Sequence, residues 1–183
     1  EDGKCVRTMD FSEDQKAFVD SLNLLTSKPV IYATNVSEDD LADEGENNAY
    51  VAKVREFATT ENAEVVVVCA QIEAEKAELG IEESGLDKLI KEAYKLLGLR
   101  TYFTAGVQEV RAWTIKVGTK APAAGGKIHS DIERGFIRAE TIAFNDLVQV
   151  GTMTAAKEKG LVRLEGKEYV MQDGDVVNWR FNV

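Results

Sequence analysis

The residues best placed to do chemistry stand at the ends of two short apolar runs. Val30-Ile31-Tyr32-Ala33 leads into Asn35-Val36-Ser37-Glu38, and Val65-Val66-Val67-Val68 leads into Cys69-Ala70-Gln71. Runs this short and continuous read as strands covered on both faces, as in a parallel sheet. In open α/β sheets ligands lie outside the carboxyl ends of the strands, where both polar segments fall. Other chemistry has little to work with. His129 is the single histidine, so any Ser-His-Asp relay would have to use it and a zinc site would lack ligands. Beside Ser130 it reads as a turn residue. The acidic run Glu38, Asp39, Asp40, Asp43, Glu44 and Glu46 lacks calcium-loop spacing and reads as a solvated loop. No metal ligand set and no catalytic residue is assigned.

A nucleotide base is the ligand that Asn-x-x-acid at a strand end suggests. GTPases carry Asn-Lys-x-Asp there: the Asn braces the site and the Asp accepts hydrogen bonds from guanine N1–H and the 2-amino group. Here Val36 replaces the Lys and Glu38 the Asp. The extra methylene moves the carboxylate by about an ångström, outside hydrogen-bond tolerance on an unmoved backbone. Guanine loses its reader, and main-chain groups near Val36 are left to read adenine N1 and the 6-amino edge. Cys69-Ala70-Gln71 occupies the place of the GTPase Ser-Ala-Lys on the other side of the base. The phosphate side is different. G-x-x-x-x-G-K-[ST] has no match; at Gly126-Lys127, Ala121 stands where the first Gly belongs and Ile128 where the Ser or Thr belongs.

These segments need elements to hold them. Ser12 with Gln15 is a capping box, followed by Phe18, Val19, Leu22 and Leu25 at helical spacing. Pro29 bars continuation. Asn47 or Asn48 caps a second helix with Tyr50, Val51, Val54, Phe57 and Ala58 inward. Ser84 opens a third, with Leu86, Leu89, Ile90, Ala93, Leu96 and Leu97 as its stripe and Gly98 at its end. This is a β-α-β unit with flanking helices. Two parallel strands do not make a stable sheet alone, so residues 1–98 read as the second half of a larger domain.

Beyond that the period changes from 3.6 to 2. Trp113-Thr114-Ile115-Lys116-Val117 alternates, as do Val177, Trp179, Phe181 and Val183. Phe136 to Phe144 is a further strand. Leu161–Leu164 and Glu168–Met171 flank Glu165-Gly166-Lys167 as a hairpin, and Asp173-Gly174 turns into the last strand. Ser130 with Glu133 caps a helical turn ended by Gly135. Gly118 to Gly126 reads as a mobile Ala/Gly loop. The result is a small mixed sheet with short helices, an α+β module of β-grasp type.

The 183 residues are 44% apolar and 30% charged, as expected for a chain that buries a core. No run reaches the roughly 18 apolar residues of a membrane helix, and the first residues lack a signal-peptide pattern. Cys5 and Cys69 are too few for a disulfide scaffold, which points to a reducing, cytoplasmic compartment. The net charge of −10 is uneven: 22 acids against 10 bases in residues 1–98, and 10 against 12 beyond. The acidic part repels nucleic acid; the second part need not. Lys116, Lys120, Lys127, Arg134 and Arg138 could meet RNA phosphates there.

The whole sequence resembles the C-terminal half of the Obg-like ATPase (YchF) family. The likeness is carried by Leu25-Thr26-Ser27-Lys28-Pro29-Val30, Asn35-Val36-Ser37-Glu38, Ile81-Glu82-Glu83-Ser84-Gly85-Leu86, Tyr102-Phe103-Thr104-Ala105-Gly106, Val110-Arg111-Ala112-Trp113-Thr114-Ile115, Ile128-His129-Ser130-Asp131 and Gly135-Phe136-Ile137-Arg138-Ala139-Glu140. It implies an α/β fold, a partial P-loop GTPase-type parallel sheet in residues 1–98, with 1–28 from a helical insertion or its return to the G domain. It implies a TGS domain, a β-grasp module, in 99–183. It implies ATP in preference to GTP, with Mg2+, and ribosome or rRNA as partner, without membrane or DNA sequence recognition. By resemblance Asn35, Val36 and Glu38 form the base-specificity motif, and Cys69, Ala70 and Gln71 the second base-side loop. The segment Ile72 to Gly80 is shorter than the family's acidic helical stretch. The other function class left open is a stand-alone TGS-type RNA- or ribosome-binding module without catalysis.

Overall fold

The computed structural model describes residues 3–79, 85–106 and 108–182. The chain divides into two compact units, Glu1–Leu97 and Gly98–Val183.

In the first unit, α1 (Glu13–Ser21) begins with the expected reciprocal box, Ser12 Oγ accepting the Gln15 N–H and Gln15 Oε1 accepting the Ser12 N–H. Then follow β1 (Ile31–Asn35), a helical turn α2 (Glu38–Leu41), α3 (Ala49–Thr60), β2 (Glu64–Val68), α4 (Ala70–Leu79) and α5 (Gly85–Leu96). Asn48, not Asn47, caps α3. β1 and β2 pair in parallel from Ile31 opposite Glu64 to Asn35 opposite Val68, with α3 inside the crossover that a parallel pair requires. Val51, Ala58, Val66, Val67 and Cys69 are buried.

Several apolar positions expected inward lie open. Leu25 is 82% exposed, Tyr50 79% and Phe18 66%; Leu22, Phe57, Leu86, Ile90 and Leu97 are also exposed. β1 is not covered on both faces, since Ala33 and Asn35 are exposed. The apolar pattern anticipates a wider sheet than two strands supply. The segment Glu38 to Glu46, expected as a loop, contains α2, because Ser37 Oγ caps the Asp40 N–H. The expected opening of the third helix at Ser84 lies outside the described residues. At the described start of α5, Glu73 Oε1 accepts the Leu86 N–H at 3.0 Å. Gly85 packs so closely that an added Cβ would come within 3.1 Å of the Val68 Cα.

The second unit holds β3 (Leu99–Ala105), β4 (Val110–Lys116), α6 (Ala121–Gly126), α7 (Ser130–Arg134), β5 (Phe136–Ala143), α8 (Phe144–Val150), α9 (Met153–Glu158), β6 (Arg163–Glu165) and β7 (Asp175–Phe181). The strands lie in the order β4-β3-β7-β5-β6. β3 and β7 are parallel and the other neighbours antiparallel, giving the mixed sheet expected of a β-grasp module. Alternation sends Tyr102, Ile115, Ala139 and Val177 to one face, against Ala121 and Ala124 of α6. Phe103, Ile142 and Val176 go to the other, against Leu147, Val150, Met153 and Ala156.

Three sequence expectations change here. Gly118 to Gly126 is not a mobile loop: it contains α6, with Ala121 and Ala124 fully buried. Small residues are needed because a Cβ on Gly125 would meet Ile132 Cγ2 at 2.5 Å. The hairpin around Glu165-Gly166-Lys167 does not form. β6 pairs instead with β5, and Val170 bridges to Lys120. His129 rather than Ser130 caps α7, its Nδ1 accepting the Asp131 N–H. β3, α8 and α9 were not legible as separate elements. Val183, at the end of the last alternation, lies outside the described residues.

Candidate nucleotide-base site

Asn35 ends β1, and Ala70 follows β2 by two residues. Asn35 Oδ1 accepts the Ala70 N–H at 2.9 Å, and the Val36 N–H donates to the Val68 carbonyl at 2.9 Å. The exits of both strands are thus tied together twice. The two segments singled out from the sequence meet at this point.

Glu38 is the first residue of α2 and is exposed. Its turn is held by contacts that the sequence reading did not anticipate. Ser37 Oγ donates to Asp40 Oδ2 at 2.9 Å, and Asn48 Nδ2 donates to the same oxygen at 3.0 Å. A Ser-x-x-Asp capping pattern was available in Ser37 and Asp40 to reveal this. The Glu38 carboxylate has no hydrogen bond or ion pair among the described residues, which leaves both oxygens for a ligand. Cys69 is a buried free thiol, and its carbonyl accepts the Glu73 N–H. Ala70 and Gln71, expected on a loop, are the exposed first residues of α4. Helix α4 therefore starts directly at the strand exit and presents a backbone edge there. Asn35 thus ties the two exits together, and Glu38 stands exposed three residues further on.

The five cations expected to form one basic surface do not gather. Lys120 pairs with Glu168 and Arg134 with Asp131, each at 2.6 Å. Lys127, at the end of α6, lies on the α6 side of the sheet. Arg138 stands opposite Arg180 in register, and Glu140 opposite Asn178, which places these residues on the α8/α9 face. Lys116 shares that face but sits at the far end of β4, opposite Leu99.

Glu140 organises the α8/α9 face. It is 4% exposed and accepts hydrogen bonds from Asn178 Nδ2, Arg180 Nε and Nη2, and Lys157 Nζ. Burial pushes its pKa up, but these donors outweigh burial and hold it below the usual carboxylate range.

A parallel strand pair with amide-locked exits, followed by a mixed-sheet α+β unit of β-grasp type, is consistent with a partial P-loop GTPase-like fold. Comparison with known proteins agrees. The YchF-GTPase_C family model, described as "Protein of unknown function (DUF933)", matches residues 99–182. The Ribosome-binding ATPase YchF of Bacillus subtilis is 60% identical across all of this chain and 53% of its own length. The protein of that name from Escherichia coli O157:H7 is 50% identical over the same shares. The solved Schizosaccharomyces pombe YchF GTPase superposes with a TM-score of 0.77 at 34% identity, over 97% of this chain and 50% of its own. The chain belongs to the YchF family, and it spans about half the length of the curated relatives it matches. The Bacillus subtilis match runs over 195 residues against the 183 here, so that relative carries internal residues this chain lacks.

Proposed function

We propose that this chain is the C-terminal part of an ATP-binding, ATP-hydrolysing protein that prefers ATP to GTP and works with the ribosome in the cytoplasm. Residues 1–98 form the later part of its P-loop nucleotide-binding domain, and 99–183 its TGS domain. The observation that carries the reading is the Asn35–Ala70 hydrogen bond, which joins the two base-side segments into one site. Asn35, Val36 and Glu38 face one side of the base, and Cys69, Ala70 and Gln71 the other. Adenine has no donor pair for a carboxylate, so main-chain groups beside Val36 read it while Glu38 withholds the guanine contact. The relatives are ribosome-binding ATPases, which supports the ribosomal role.

The fit to Mg2+-nucleotide is divided. The base side has its residues here. The phosphate loop and magnesium ligands have no counterpart in these 183 residues, and no hydrolytic step is assigned to them. Purified alone, the chain should give no magnesium-dependent ATP turnover, whereas the full-length protein should. The full-length protein should also co-sediment with salt-washed ribosomes. Turnover by the isolated chain, or a full-length protein inert toward ATP, would overturn the reading.

A further inference from the structure

Exclusion of guanine by Glu38 depends on the backbone that carries it. A carboxylate displaced by about an ångström misses the base only while its turn stays in place. Glu38 lies between two anchors. Before it, the Val36 N–H donates to the Val68 carbonyl at 2.9 Å and fixes the strand exit. After it comes Asp40, which is partly buried. Both side-chain donors to the Asp40 carboxylate address one oxygen. Oδ2 accepts from Ser37 Oγ at 2.9 Å and from Asn48 Nδ2 at 3.0 Å.

Asn48 links that oxygen to α3. Its Oδ1 caps the helix by accepting the Tyr50 and Val51 N–H groups, while its Nδ2 reaches back to Asp40. The chain between them closes on α3 as well. The Gly45 N–H donates to the Asp40 carbonyl at 2.7 Å, and Arg55 Nη2 donates to the Glu44 carbonyl at 2.7 Å. Gly45 is buried at a φ of +70°, and a Cβ there would meet Val51 Cγ2 at 3.0 Å. Val51 is itself buried. The turn that bears Glu38 is therefore hung from the packed part of α3 through Asp40.

We propose that Asp40 is a positioning residue for base choice: with Ser37 and Asn48 it holds the Glu38 turn where the carboxylate misses guanine. The proposal rests on the nucleotide-base reading above and names the contacts that enforce it. Asp40 acts through Glu38 rather than on the nucleotide. Once α2 is released, Glu38 is free to travel the missing distance and accept from guanine N1–H and the 2-amino group. Adenine offers a carboxylate neither donor and gains nothing from the same freedom. Release thus moves the two affinities apart from one another, whereas general loosening weakens both alike.

The test measures ATP and GTP affinities of the full-length protein by competition, and amide exchange in the 183-residue chain. Asp40→Ala removes the acceptor. The ratio of ATP to GTP affinity should fall about fivefold or more, through tighter GTP binding. Exchange at Leu41, whose N–H bonds to the Ser37 carbonyl, should accelerate. Asp40→Asn is the rescue. Both donors address Oδ2, so an amide oxygen there keeps both, and the ratio should stay within about twofold of the unaltered protein's. Asp39 is exposed and makes no hydrogen bond or ion pair among the described residues. Asp39→Ala should likewise hold the ratio within about twofold, which separates lost charge from a lost anchor.

Asn48→Asp keeps a cap for α3 but sets an oxygen against Asp40 Oδ2. It should lower the ratio as Asp40→Ala does, and it decides the question if Asp40→Ala fails to fold. Equal weakening of ATP and GTP would overturn the proposal. So would Asp40→Asn or Asp39→Ala shifting the ratio as far as Asp40→Ala, since charge and not the hydrogen bonds would then be at work. An unchanged ratio, with the preference for ATP intact, would overturn the proposal and leave the base-site reading standing. A full-length protein that binds ATP no more tightly than GTP before any substitution would remove that reading, and the proposal with it.

Discussion

The amide oxygen of Asn35 takes the backbone N–H of Ala70 at 2.9 Å, across two strand exits that are 35 residues apart in sequence. Asn35→Ala leaves the Ala70 N–H to solvent, because Ala70 is exposed. The expected cost is about 0.5–1.5 kcal/mol, the net worth of one such bond. Amide hydrogen exchange at Ala70 should accelerate, while Val51 and Ala58, buried in α3, keep their protection. Unchanged exchange at Ala70 would show that the bond does not hold the exit.

Glu140 makes the second unit sensitive to acid. Its carboxylate is held below the ordinary range by Asn178, Arg180 and Lys157 against the opposing effect of burial. A depressed folded pKa contributes stability that is present above the unfolded value of about 4.3 and lost as pH falls through the folded value. Urea midpoints followed by tryptophan fluorescence should therefore fall as pH drops below about 4, and Glu140→Gln should flatten that dependence. An unaltered pH profile in the variant would remove Glu140 from the account.

The two units should differ when separated. Residues 99–183 include a five-stranded sheet with buried residues on both faces. They should give a cooperative unfolding transition alone. Residues 1–98 have a two-stranded sheet and leave Phe18, Leu25 and Tyr50 open. They should show no such transition and should bind hydrophobic dyes. A sharp transition from residues 1–98 would contradict the reading that their sheet is partial.

What could be read in advance followed clear local rules. The Ser12–Gln15 box, the two apolar strands and the Asn-x-x-Glu end each depend on a few adjacent residues. What could not be read depends on contacts remote in sequence. Ala121, Ala124 and Gly125 look like a flexible run, but small size is what lets α6 lie close against Ile132 and the sheet. Arg163-Leu164-Glu165 looked like half of a hairpin, yet its partner is Ala139-Glu140-Thr141. Arg138 was grouped with Lys127 by nearness in sequence, and strand alternation then sent it to the other face. At the base site, Asn35 and Ala70 were both singled out, but the bond between them is visible only in three dimensions.

The most direct test of the account is competition between ATP and GTP for the full-length protein carrying Glu38→Asp. Asp suits the first turn of α2 as well as Glu does, so the fold there should stand. The shorter side chain should restore part of the guanine contact, shifting the balance toward GTP by up to about 1.5–3 kcal/mol, the range for a charged hydrogen bond. Val36, in place of Lys, limits the gain. A ratio of ATP to GTP affinity identical to that of the unaltered protein would contradict the assignment of base choice to Glu38.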